Sequence, residues 1–263
     1  MSTSNTLPLN FNSPEAESEF RKTMEHLPEG IDVFIVGGAL RNALFRQFHG
    51  TILKQRDYDQ VITKGSAQYA KYLSSCGFEE LPYSDGRTTA TVFRKPLVKN
   101  AKENYHDWLV FDLHTVDGTT IEDNLQRMAV FSVNGCAVRA NEVLVQPWQE
   151  AVLEVQALPT ALQDIKDKKL SINKKSQMEP SSFFSALRLV SAGFAPPSHH
   201  DVNTLLDNLA KLEHGRFDRN VKKVWDYVGG EANARSLVEE LGITTDVFNE
   251  DAVRARLRST STR

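Results

Sequence analysis

The sequence predicts an α+β protein in two parts: a five-stranded sheet with helices, then an all-helical region. Three observations carry this. Strand-like alternation recurs between residues 32 and 139, helical spacing of apolar residues takes over after Pro147, and 263 residues with 40% hydrophobic and 25% charged side chains supply a sizeable core. Such a composition excludes wholesale disorder, collagen-like repetition and a disulfide scaffold. The formal charge of -3 excludes a global basic field, so any nucleic-acid contact has to be local. Cys76 and Cys136 lack CxxC spacing and read as buried free thiols. No apolar run approaches the roughly 18 to 20 residues that span a bilayer, and the N-terminus lacks a signal-peptide plan, so a cytoplasmic protein without a membrane partner is expected.

Residues 1–14, rich in Ser, Asn, Thr and Pro, read as a flexible arm. Ser13, Pro14 and Glu15 form an N-cap signal before Phe20, Met24 and Leu27, which repeat at helical spacing. Residues 32–36 are β-branched and aromatic and stop at Gly37-Gly38, after which Leu40, Ala43, Leu44 and Phe48 recur every three to four positions: strand, glycine turn, helix. Residues 58–63 give a second strand and 66–76 a helix. Residues 90–94, 108–116 and 129–139 give three more strands, with a lysine-rich connection over 95–107 and a turn at Asp117-Gly118. Helices are expected over 182–190, 202–212, 220–228 and 232–241. The resulting domains are 15–160 and 161–250, and residues 251–263, with Arg254, Arg256, Arg258 and Arg263, form a basic frayed tail. The densest basic cluster, around Lys168, Lys169, Lys174 and Lys175, reads either as a solvated linker face or as a phosphate contact.

The chemistry lies in Gly37-Gly38 and Asp57-Tyr58-Asp59 taken together. Two glycines opening a helix let backbone N–H groups approach a phosphate beside the positive end of the helix. Asp-x-Asp on a strand sends two carboxylates to one face about 7 Å apart, an arrangement that suits a divalent metal and is otherwise repulsive. Asp112 interrupts the apolar run 109–113 and is the candidate third carboxylate. His114 shares its face and reads as a structural hydrogen-bonder.

At these residues the chain resembles the class II tRNA nucleotidyltransferases and bacterial poly(A) polymerases of the polymerase-beta-like superfamily. The run FIVGGALRN from Phe34 to Asn42 is similar to the family's VGGxVRD, and RDYD from Arg56 to Asp59 to its DxD. VFDL at 110–113, TIEDNLQR at 120–127, ALQDIKDKKL at 161–170 and HGRFDRNVKK at 214–223 resemble later family segments in order.

The resemblance implies a nucleotidyltransferase head with a mixed sheet, then a helical neck. It implies a metal-dependent enzyme that adds NMP from an NTP, ATP or CTP, to an acceptor hydroxyl, an RNA 3' end. Asp57, Asp59 and Asp112 would be catalytic and hold Mg2+ (or Mn2+). Gly37, Gly38, Arg41, Arg127 and Arg188 would bind the nucleotide, and Lys168, Lys169, Lys174 and Lys175 the RNA. Several motifs depart from the family's. RRDFTINA reads RMAVFSVNGC at 127–136, EDxxR aligns with 181–185 and leaves only Arg188, and VRD is Leu40-Arg41-Asn42. Base selection is therefore expected to be relaxed or altered, and a protein partner or a second copy to complete the acceptor site. The lost motifs leave as an alternative an inactive homologue that binds RNA, nucleotide or protein, and the lack of segments resembling the family's tRNA-binding body after the neck leaves another, an enzyme whose acceptor is a protein or small molecule.

Overall fold

A computed structural model describes residues 9–55, 57–81, 90–102, 107–116, 118–145 and 155–260. Arg56, Asp117, part of the 95–107 connection and Arg263 lie outside them. The elements run α1 (Pro14–Glu25), β1 (Asp32–Val36), α2 (Gly37–His49), β2 (Tyr58–Lys64), α3 (Ser66–Ser75), β3 (Glu79–Leu81), β4 (Ala90–Pro96), β5 (Trp108–Thr115), α4 (Ile121–Met128), a 3-10 turn at Ser132–Asn134, β6 (Cys136–Arg139), α5 (Glu142–Val145), β7 (Gln156–Ala157) and α6 (Ala161–Lys166). Then come α7 (Ser182–Ser191), α8 (His199–Leu209), α9 (His214–Val228), α10 (Glu231–Glu240) and α11 (Glu250–Thr260). The chain forms two compact units, one from residues 1–129 and 133–166, the other from 130–132 and 167–263. No helix among the described residues is long and apolar enough to cross a membrane.

The first unit is built on one mixed sheet of seven strands rather than five, in the order β3-β4-β5-β2-β1-β6-β7. The additional strands, β3 and β7, are edge strands of three and two residues, too short for alternation to register in the sequence. β2 and β5 run parallel at the centre, and the other neighbours are antiparallel. Residues 129–139 are not one strand: α4 ends at Met128 and only Cys136–Arg139 pairs. Instead Phe131 bridges Ile172 within the second unit, where Ser132 N–H donates to the Ser171 carbonyl at 2.9 Å and Asn173 N–H to the Val130 carbonyl at 2.8 Å.

Alternation gives the sheet two unlike faces. Along β5, Leu109, Phe111 and Leu113 are buried, whereas Trp108, Val110, Asp112 and His114 are only half-buried. The first set joins Phe20, Tyr58 and Phe78, whose rings lie 4.8 to 6.3 Å from that of Phe111. On the second face Ile121 and Leu125 of α4 pack on Phe34, Val36, Val61 and Ala137, leaving the β5 residues beside this cluster.

Two expectations about the termini are corrected. Leu9 and Asn10 are buried, Asn10 Nδ2 donating to the Leu53 carbonyl at 3.0 Å and the Tyr58 hydroxyl to the Asn10 carbonyl at 2.8 Å, so the described part of the arm is anchored. The expected frayed tail is helix through Thr260. Val253 is buried, and Arg254 is tied to Glu250 and to the Leu212 carbonyl at 2.9 Å. Cys136 is buried, which pushes its thiol up to about 12, whereas Cys76 is half-buried.

The second unit is helical, with Phe183, Phe184, Leu205, Leu209, Phe217 and Val224 inward. His214, at the start of α9, is hydrogen-bonded to Glu250, at the start of α11. This bond raises the imidazole above its ordinary value and, with help from Arg254, holds the carboxyl below its own. The Glu250 contribution is present above the ordinary carboxyl value, 4.5, and is lost as pH falls through the lowered one. The His214 contribution is present below the ordinary imidazole value, 6.5, and is lost as pH rises through the raised one. Thermal melts should therefore show a small loss of stability as pH climbs above 6.5 that is absent in His214→Gln.

Candidate active site

β1 runs without a break into α2 through Gly37 and Gly38. Gly37 has φ +63°, and a Cβ there would lie 2.5 Å from Oδ2 of Asp59. Glycine thus stands where a carboxylate on the neighbouring strand presses against the helix N-terminus. The Gly38 N–H donates to the same Oδ2 at 3.4 Å, with the partial positive end of the helix behind it.

The parallel register sets Asp59 directly opposite Asp112, and the two-residue period returns His114 to the same face, opposite Val61. One ligand atom from each of Asp59, Asp112 and His114 lies within 4.8 Å of the other two. Two carboxylates held side by side by a backbone ladder repel one another, and a dication with oxygen ligands removes that repulsion. The donor set, two carboxylates and an imidazole on one face, fits a divalent metal. Asp57, half-buried in the turn entering β2, falls outside this three-residue group.

Arg41 is one turn into α2, its Nη2 3.5 Å from where a Gly38 Cβ would sit. Nη1 donates to Asn134 Oδ1 at 2.6 Å, and Nε and Nη2 donate to Asn42 Oδ1 at 3.2 and 2.8 Å. Asn42 Nδ2 in turn donates to the Lys54 carbonyl and Gln55 Oε1, and Gln55 Nε2 donates to the Asp57 carbonyl. Hydrogen bonds therefore link the start of α2 to the turn that carries Asp57. Position 42 uses both halves of an amide, accepting from Arg41 and donating to two oxygens, which a carboxylate could not do.

Arg127 is exposed on the last turn of α4, its Nη2 3.3 Å from Asn124 Oδ1. Arg188 belongs to α7 of the second unit and donates to Ser185 Oγ at 3.0 Å. Lys169, Lys174 and Lys175 are exposed in the second unit, and Lys168 is half-buried with φ 54°. The sequence reading missed His114 as a member of the cluster, although its spacing from Asp112 was visible. Asn134 carried no local signal, being 93 positions from the arginine it holds.

This order of elements, a mixed sheet whose first strand leads into a glycine-led helix and then a helical unit, gives a fold similar to that of solved CCA-adding enzymes. Among solved structures the chain is similar to the Thermotoga maritima CCA-adding enzyme complexed with tRNA, with a TM-score of 0.60 and 16% identity over 88% of this chain and 52% of that one. The Bacillus stearothermophilus CCA-adding enzyme in complex with CTP gives a TM-score of 0.55 and 16% identity over 93% of this chain and 58% of that one. A CCA-adding enzyme with ATP gives 0.59, again at 16% identity, over 88% of this chain and 51% of that one. The chain thus spans a little over half the length of these three structures. No protein-family model and no curated protein matches it.

Proposed function

We propose that this protein is a metal-dependent nucleotidyltransferase that adds NMP from an NTP to the 3'-hydroxyl of an RNA. The observation that carries this reading is the register pairing of Asp59 with Asp112 beneath the Gly37-Gly38 helix start. Asp59 and Asp112 would hold the metal, with Asp57 as a further carboxylate. When bound, Mg2+ or Mn2+ lowers the barrier to attack of the hydroxyl on the α-phosphate and stabilises the departing pyrophosphate. Gly37 and Gly38 allow the triphosphate to approach the N–H groups of α2, and Arg41, fixed by Asn42 and Asn134, orients it. Arg127 and Arg188 are assigned to the nucleotide and the four lysines to RNA phosphates.

Relaxed or altered base choice is supported by α7. Serines at 182 and 185 stand where the related family's motif has its base-reading acid and arginine, and Ser182 is buried, so the charged groups of that motif are missing. An RNA end is supported by Trp108 and Arg94. The guanidinium stacks 3.9 Å from the Trp108 ring centroid, on the sheet face that carries Asp112, and such a pair suits an unpaired base.

The test supplies purified protein with Mg2+ or Mn2+, each α-labelled NTP in turn, and total RNA. Label is expected at RNA 3' ends from more than one NTP. Label in polypeptide alone would overturn the RNA acceptor, and label in no fraction would overturn the enzyme. With an active preparation, Trp108→Ala should raise the KM for RNA roughly tenfold while leaving that for NTP unchanged.

A further inference from the structure

We propose that His114 is a direct ligand of the metal held by Asp59 and Asp112, and that it makes the site select Mn2+ over Mg2+. This rests on the reading of the acidic pair as a metal site and adds to it the identity of the ion.

Geometry comes first. Two ligands on one ion at about 2.1 Å stand about 3 Å apart in cis and about 4.2 Å apart in trans on an octahedron. Asp59, Asp112 and His114 already offer three atoms mutually within 4.8 Å, so only a small contraction closes the set. The contraction falls on side chains alone. β5 is laddered on both sides, by β4 and by β2, and the Asp59–Asp112 and Val61–His114 pairs fix the backbone beneath all three groups.

The donor types decide the ion. Mg2+ is hard, demands near-ideal octahedral oxygen coordination and gains little from imidazole. Along the first-row series nitrogen donors bind later ions more tightly, whereas carboxylates and water remain suited to Mn2+. Two carboxylates and one imidazole make a mixed set that a manganese ion accepts and a magnesium ion does not exploit. An oxygen-only site, as the Asp-x-Asp pattern with Asp112 suggested, would show a smaller preference and no nitrogen on the ion.

The test uses the metal-stripped 263-residue protein and needs no substrate. Calorimetric titration with Mn2+ and with Mg2+ should show Mn2+ bound at least about tenfold more tightly. Pulsed electron paramagnetic resonance of the bound Mn2+ should show a directly coordinated nitrogen. In His114→Ala the nitrogen coupling should vanish and Mn2+ affinity fall at least about tenfold, with Mg2+ affinity changed by less than about threefold. His114→Asn, which keeps a polar side chain of similar reach, should behave the same way and guards against a folding defect. An unmutated protein that binds no Mn2+, binds it without nitrogen coupling, or loses Mn2+ and Mg2+ equally on substitution would overturn the proposal. Nitrogen-coordinated Mn2+ in a protein that transfers no nucleotide would uphold the ligand and remove the enzyme; transfer with no nitrogen on the ion would do the reverse.

Discussion

Asp59→Asn is expected to lower nucleotidyl transfer by at least about a thousandfold while leaving the metal-free protein as stable as the parent or more so. The activity loss follows from removing one of two carboxylates that share an ion, a change worth several kcal/mol at the transition state. The stability result follows from the same geometry with opposite sign. Asp59 and Asp112 are register partners, so the amide relieves a repulsion that the sheet otherwise holds in place. A melt by circular dichroism beside a single-turnover assay checks both. A variant that loses activity only because it unfolds would contradict the assignment, and one that keeps activity would remove Asp59 from the site.

Gly37→Ala should be nearly as damaging, for a different reason. Alanine in the left-handed region costs about 1 to 2 kcal/mol. Its Cβ would also stand 2.5 Å from Asp59 Oδ2, so the carboxylate has to leave its place against α2. We expect a fall in melting temperature together with a loss of transfer of about a hundredfold, which a 1 Å misplacement is enough to cause. Gly38→Ala is the control. A Cβ there meets only Arg41 Nη2, at 3.5 Å, an ordinary contact, so this variant should melt as the parent does, and any loss of transfer in it reports the approach of the triphosphate rather than the fold. An equal fall in melting temperature from the two substitutions would show that the glycines serve the turn and not the carboxylate.

Much of this arrangement was legible in the sequence because it depends on short periods. The β1–turn–α2 passage shows as a β-branched run stopped by two glycines, and the Asp59 and Asp112 strands show as apolar runs interrupted by an acid. The central pairing of β2 with β5 does not show, since parallel strands are matched across a crossover and no local pattern encodes which acid faces which. β3 and β7 are too brief to carry a period. Residues 129–139 misled because an apolar-rich run looks alike whether it pairs with neighbours or is shared out, here among a helix cap, a bridge to Ile172 and a four-residue strand, and the Asn134-Gly135 break was passed over. His114 was legible in position but not in role, because a histidine on an apolar strand is more often a hydrogen-bonding group than a ligand.

The excursion of residues 130–132 has a consequence for taking this protein apart. A chain cut after Lys166 would retain Val130, Phe131 and Ser132 but lose Ser171, Ile172 and Asn173, the segment they pair with. Phe131, 1% exposed in the intact protein, would then join an unsatisfied strip of backbone as a ready template for aggregation. No single scission yields both units whole. Fragments prepared to study the two units apart should therefore be made by co-expressing the two pieces, with the 130–132 segment meeting its partner in trans.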